Sequence, residues 1–271
     1  RSPHIQCGNA PRLTRLRAQV AAAEPEAEQG FDVAYVRLDI DEVEQWLDEH
    51  ARGGERVGVA FRGQWGRGTG SLSGVALASP DGASAYLDQA RMSPADDAAL
   101  RAWLADPTAP KATHDIKGPA LALREHGWRI DWVTSDTQLA AYLLRPAQRT
   151  FDLSDLALRY LRRELRSNVE ESGQLTLDGG LDESEDALAE IETLQATAIN
   201  DLATAFDAEL EAGGASRLLT ELELPLTFVL ADMEAVGIAA DTDALVDLQS
   251  ELGGAVKQVE QDAHQLVGRE F

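Results

Sequence analysis

Cysteine is almost absent from this chain of 271 residues: Cys7 is the only one. That excludes an internal disulfide framework and fits a reducing compartment. The five histidines, His4, His50, His114, His126 and His264, stand singly, so no local Cys/His zinc cluster can be assembled. Long apolar runs are missing as well. None approaches the roughly 18 to 20 residues of a membrane span, and the N-terminus lacks the basic-then-apolar pattern of a leader peptide. Basic residues are scarce: 24 Lys and Arg against 47 Asp and Glu leave a formal net charge of -23. Affinity for nucleic acid comes largely from basic side chains displacing counterions, so DNA binding by the surface as a whole is not expected. From Ser167 to Ser216 there is no Lys or Arg at all, while acids recur from Glu170 to Glu211 as a solvated face.

What is present divides into three stretches. Residues 1 to 30 show no sustained periodicity and read as a linker or tail. From Phe31 a strand alternates through Val33, Tyr35 and Arg37. A helix then runs from Asp39 to His50, with Asp41 as a candidate N-cap and Glu44 three residues on. Val57 to Phe61 is short and apolar, as for a central strand. Gly63 to Gly74 reads as a floppy hairpin, since no Lys-Ser/Thr follows its glycines to make a phosphate cradle. Leu72 to Ala78 and Ala83 to Leu87 are strands joined by Pro80-Asp81-Gly82. Ser93-Pro94 opens a helix.

Pro110 to His114 is a short strand, Lys117 to His126 a helix capped by Gly127, and Ile130 to Val133 a strand edge. Asp136 to Leu144 and Asp152 to Arg166 are helical, with Asp136 and Asp152 placed as N-caps. Helices follow from Leu188 to Phe206, from Leu218 to Val236 with Pro225 as a kink or break, and from Asp241 to Val267; Leu175 to Leu181 is a loop. Such a β-rich first third passing into alternating elements specifies an α/β fold with a mixed sheet and flanking helices.

The segment Leu222-Glu223-Leu224-Pro225-Leu226-Thr227-Phe228-Val229-Leu230-Ala231-Asp232-Met233-Glu234, with Gly237-Ile238 and Asp241, resembles the entry to the polymerase domain of family A DNA polymerases, the bacterial DNA polymerase I group. Asp136 to Leu144, Phe151 to Ala157 and His114-Asp115-Ile116-Lys117 are similar to that family's 3'-5' exonuclease domain, which has a ribonuclease H-like fold. The resemblance implies domains at 31 to 212 (exonuclease-like) and 213 to 271 (the start of the polymerase domain). The long helices of the second would belong to a truncated thumb. The chain would be a fragment of a cytoplasmic, nucleoid-associated bacterial polymerase of replication and repair. The implied partners are DNA, reached through the parent enzyme, an upstream nuclease module and the remaining polymerase domains, with no membrane.

The resemblance also sets a chemical test. Proofreading domains of this family hold two divalent metals on four carboxylates, one ion generating the attacking hydroxide and the other stabilising the leaving oxygen. Arg62 and Gln64 fall where the first two acids belong, Gly118-Pro119 at the third, and the stretch Leu194 to Ile199 at the fourth. Hard Mg²⁺ needs anionic oxygens. The expectation is a domain with no catalytic residue and no metal of its own, serving as a scaffold, while Mg²⁺ is required by the parent polymerase. Two rival expectations stand beside it: an active metal-dependent exonuclease with relocated acids such as Asp115 and Asp201, and a DNA or interdomain contact through the basic series Arg159, Arg162, Arg163 and Arg166.

Overall fold

The computed structural model describes residues 33–165 and 181–269, with side chains from residue 186 onward in the second stretch. The proposed tail, the loop from Leu175 and much of the acidic run lie outside the described residues. Two compact units are present, through Ala235 and from Val236 onward. This division falls C-terminal to the boundary at 213 expected from the sequence.

In the first unit a six-stranded mixed sheet has the order β1-β4-β3-β2-β5-β6, with β1 Tyr35–Arg37, β2 Val57–Gly66, β3 Thr69–Ala78, β4 Ser84–Asp88, β5 Lys111–Thr113 and β6 Val133–Asp136. The strands β2, β3 and β4 form an antiparallel meander, while β1, β5 and β6 add in parallel. On one face lie α1 Val43–His50, α2 Pro94–Leu104 and α3 Lys117–Glu125, around Leu47, Val75, Leu77, Leu100 and Trp103. The other face is floored by small residues, Ala60, Ala76, Ala78 and Ala112. Against them packs the long helix α6 Leu181–Gly213 through Ala189, Ala196 and Ala203. Small side chains on both partners let helix and sheet approach closely, which is how alanine-rich sequence becomes a core. At the β6 edge, α4 Thr137–Leu144 and α5 Leu153–Leu156 pack on Phe206 and Leu210 of α6. A short helix Ser216–Leu218 and a π-helical segment Leu219–Glu223 lead into α7 Leu224–Val236. The π turn directly precedes Pro225, whose ring excludes a regular bond to the preceding turn. In the second unit α8 Thr242–Val267 begins at an Asp241 cap that accepts from Ala244 N (3.0 Å) and ends at left-handed Gly268. Among the described residues no helix is long and apolar enough to cross a membrane.

Several expectations are corrected. Asp41 does not cap α1: it has φ +68°, and the helix starts at Val43. The buried Asp96 carboxylate takes that part from a distance, accepting from Asp41 N (2.9 Å) and Val43 N (3.2 Å). The hairpin from Gly63 is not floppy, because ladder pairing persists to Gly66 opposite Thr69, with a bulge between Arg62 and Gly63. The strand expected at Ile130 lies at Val133–Asp136. The helix expected over Asp152 to Arg166 widens into a π turn, Ala157–Leu161, and stops at left-handed Arg162. Asp152 stands at an N-cap position yet makes no capping bond.

Lys111 on β5 was not singled out by sequence, although it is fully buried. Its ammonium donates to the carbonyl oxygens of Ala109 (2.7 Å), Asp106 (3.1 Å) and Asp131 (3.1 Å) and sits 4.9 Å from the centre of the Trp103 ring. Burial pushes its pKa down to about 8. Between that value and the ordinary lysine range the unfolded chain binds the additional proton. Stability contributed through this group therefore rises with pH across the window. Denaturant titrations from pH 7 to 10 should show the native protein gaining stability relative to Lys111→Met; a parallel pH course for the two would contradict this.

Candidate functional site

The face of β2 toward α6 carries Gly58, Ala60, Arg62 and Gln64 by strand alternation. Helix and strand run in opposite directions: Asp207 and Thr204 bind Arg56, and Ala196 and Asn200 lie against Gly58. Continuing along α6, the next turn toward Arg62 is the one that holds Glu192. The stretch Leu194 to Ile199 is thus not the one that meets Arg62, because its Ala196 lies at the start of β2. Sequence reasoning missed Glu192 for want of a register for the helix. Its signal was an acid on an otherwise apolar stripe, between Ala189 and Ala196.

Glu192 is 9% exposed. Burial pushes its carboxyl up to about 7, and the Arg62 guanidinium opposes that shift. Tyr86 on β4 completes the cluster. Gly74 is the cross-strand partner of Arg62, and a side chain there would collide with the Tyr86 hydroxyl. The missing side chain leaves that space over β3 to the Tyr86 hydroxyl. Burial raises the phenol's pKa, and the guanidinium counteracts it.

On the opposite side of β2, the Trp65 indole lies against Gly118 at the start of α3, where any side chain would strike the ring. The following Pro119 is buried. The backbone of Gly118 thus accommodates an aromatic ring. Gly118→Val should displace Trp65, which is 39% exposed and free to swing outward. The expected readout is a red shift in emission relative to a Trp65→Phe control, and unchanged emission would contradict the packing.

A second acidic group lies where β5 and β6 end. Asp136 is fully buried and caps α4, as its sequence position implied, accepting from Ile116 N (2.8 Å), Gln138 N (3.0 Å), Leu139 N (3.2 Å) and Thr113 Oγ1 (3.4 Å). Burial raises the pKa of Asp115, and the nearby Asp136 adds to the effect. His114 Nδ1 lies 2.8 Å from Thr137 Oγ1, and burial pushes its pKa down to about 4. Asp201 is engaged elsewhere, 2.7 Å from Arg163. Among the described residues no three His, Cys, Asp or Glu side chains converge as a metal site would require. Arg159 and Arg162 are exposed, Arg163 is partly exposed and bound to Asp201, and Arg166 lies outside the described residues. Left-handed Arg162 ends the regular helical spacing that linked them in sequence.

The hairpin tip and α7 meet across α3. Lys117 pairs with Glu234 and Arg124 with Asp232 (2.8 Å). Gly68, at φ +79°, lies with its Cα directly against the Glu234 carbonyl. Beneath these contacts is a cavity of about 520 Å³ lined by Leu121, Trp128, Ile130, Leu224 and Phe228.

Residues 69–171 match the family described as DNA polymerase I, ribonuclease H-like domain. DNA polymerase I of Mycobacterium bovis is 46% identical over 253 residues, or 93% of this chain and 28% of the relative. That of Geobacillus stearothermophilus is 35% identical over 200 residues, 74% of this chain and 22% of the relative. The chain therefore spans less than a third of these relatives. A solved structure described as the POL domain of Pol1 from M. smegmatis, in complex with DNA primer-template and dNTP, superposes with a TM-score of 0.72 at 39% identity. It covers 87% of this chain and 38% of that one. Brucella melitensis NrnC bound to pGG shares the fold, with a TM-score of 0.56 at 14% identity over 77% of this chain and 95% of that one.

Proposed function

This chain belongs to the DNA polymerase I family through its ribonuclease H-like domain, and from that premise we propose that the domain is an architectural element without nuclease chemistry. It anchors the start of the polymerase domain, residues 213 to 271, while other parts of a longer enzyme acting in DNA replication and repair carry out Mg²⁺-dependent nucleotide addition on DNA. The observation that carries this proposal is the face of β2 toward α6, which presents a guanidinium and an amide, Arg62 and Gln64, where the family's exonucleases need acids. The donor set does not fit two hard divalent cations. Glu192 supplies one carboxylate, and a positive charge already opposes it there.

The anchoring half of the proposal is supported by the clamp on α7. Two ion pairs alone, each partly exposed, would contribute little. The close backbone contact of Gly68 and the apolar packing of Leu224 and Phe228 supply the rest. Gly68→Val places a β-branched residue at positive φ and against a carbonyl oxygen, neither of which can yield easily. Amide hydrogen exchange over 224–236 should accelerate by about tenfold or more while β3 and β4 keep their protection. Unchanged protection of α7 would count against the anchoring role.

A further inference from the structure

We propose that the cavity between α3, the segment 128–133 and α7 is a binding site for a neutral, flat aromatic molecule, with the Trp132 indole as one of its walls. This goes beyond the scaffold reading and does not depend on it. The cavity, about 520 Å³, falls within the roughly 300 to 1,000 Å³ of small-molecule sites. Its lining is largely apolar and rich in rings: Leu121 of α3, Trp128, Trp132, and Pro225 and Phe228 of α7. Trp132 is the residue that points to a ligand. It has φ +51°, a left-handed conformation that is an outlier for a bulky side chain, and it is 52% exposed. Glycine would relieve the backbone there, and the core makes little use of the ring. The conformation is nonetheless fixed from both sides. Asp131 N donates to Leu104 O (2.9 Å), the buried Lys111 ammonium donates to Asp131 O (3.1 Å), and Lys111 N donates to Trp132 O (3.0 Å). Three hydrogen bonds thus over-determine a strained link and hold the indole at the cavity; strain of this kind gathers at ligand clamps. The charged groups of the lining occur in pairs of opposite sign, Arg124 with Asp232 (2.8 Å) and Arg129 with Asp131 (2.9 Å). With both pairs neutralised, the lining favours an uncharged ligand, and the indole and phenyl rings favour a flat one. Because α7 supplies part of the wall, a molecule bound here also ties α7 to the sheet domain.

Fluorescence titration of the purified chain with N-phenylnaphthylamine, a neutral aromatic probe that brightens in apolar surroundings, tests this. Saturable binding, displaced by naphthalene, is expected. Trp132→Gly should weaken it by about tenfold or more, the loss expected for removing a ring that stacks on the ligand. The urea midpoint of the same variant should stay level or rise, because glycine accepts the left-handed conformation. That split distinguishes a ligand wall from a tryptophan that only supports the fold. Trp65→Phe, outside the cavity, should bind the probe as the native chain does. Should Trp132→Gly fail to fold, the native chain decides. With the probe at about ten times its Kd, amide exchange over Leu224–Val236 through openings that release the probe should slow by about tenfold. Uptake that does not saturate, unchanged affinity in Trp132→Gly, tighter binding of the anionic anilinonaphthalene sulfonate, or exchange of α7 unaltered by the probe would each overturn the site.

Discussion

Replacing Asp136 with alanine is expected to lower stability by about 3 to 5 kcal/mol, because several buried hydrogen-bond donors lose their shared acceptor at once. Three backbone amides, those of Ile116, Gln138 and Leu139, would lose their acceptor in a place that water does not reach. Unsatisfied buried donors cost about 1 to 3 kcal/mol each, with partial relaxation reducing the sum. The bond to Ile116 matters most for the fold because it ties the end of β6 to the entry of α3. Loss of the carboxylate should therefore loosen two elements together. In a unit of this size a loss of about 3 kcal/mol corresponds to a fall in thermal midpoint of roughly 6 to 12 °C. Asp136→Asn keeps an acceptor oxygen and should retain a substantial part of the stability. A midpoint for Asp136→Ala within about 2 °C of the native value would contradict the capping role.

Glu192→Gln is expected to act in the opposite direction above neutrality. The carboxyl titrates at about 7 in the folded chain, against an ordinary value of 4.5. Between those two values the native state holds a proton that the unfolded state has released. The associated stability is fully present below pH 4.5 and is lost as pH rises through 7. A shift of that size corresponds to roughly 3 kcal/mol. At pH 8 the glutamine variant should be the more stable protein by up to about that amount, and its stability should be flatter between pH 4.5 and 7. Arg62, partly exposed on its own strand, keeps access to solvent whether or not the carboxylate is present. Urea midpoints at pH 5 and pH 8 check this directly. A native protein as stable at pH 8 as at pH 5, with Glu192→Gln no different, would contradict it.

The elements whose sequence signal is local were legible. The Pro80-Asp81-Gly82 turn, the helix opened by Ser93-Pro94, the Gly127 terminus, the Asp136 cap and the helix start at Asp241 all depend on neighbouring residues, and all are where the pattern places them. What failed depends on distant contacts. The start of α1 is decided by Asp96, more than fifty positions away in sequence. The hairpin beyond Gly63 is held because its tip rests on α3 and α7, a support that no count of glycines reveals. The same holds for the site. Arg62 and Gln64 could be named from a local strand pattern alone, whereas Glu192 emerges only once α6 is registered along β2. The basic series from Arg159 looked continuous because nothing local announces a π turn followed by a left-handed arginine.

The central claim is that this domain carries no two-metal nuclease centre, and degradation of a 3'-labelled single-stranded DNA oligonucleotide by the purified chain tests it most directly, with Mg²⁺ or Mn²⁺ present and a chelator control alongside. The account predicts no metal-dependent shortening from a chain shown to be folded. Chelator-sensitive loss of 3' nucleotides, abolished by Asp115→Ala or Asp201→Ala, would contradict it and place the chemistry on acids that this account assigns to structure.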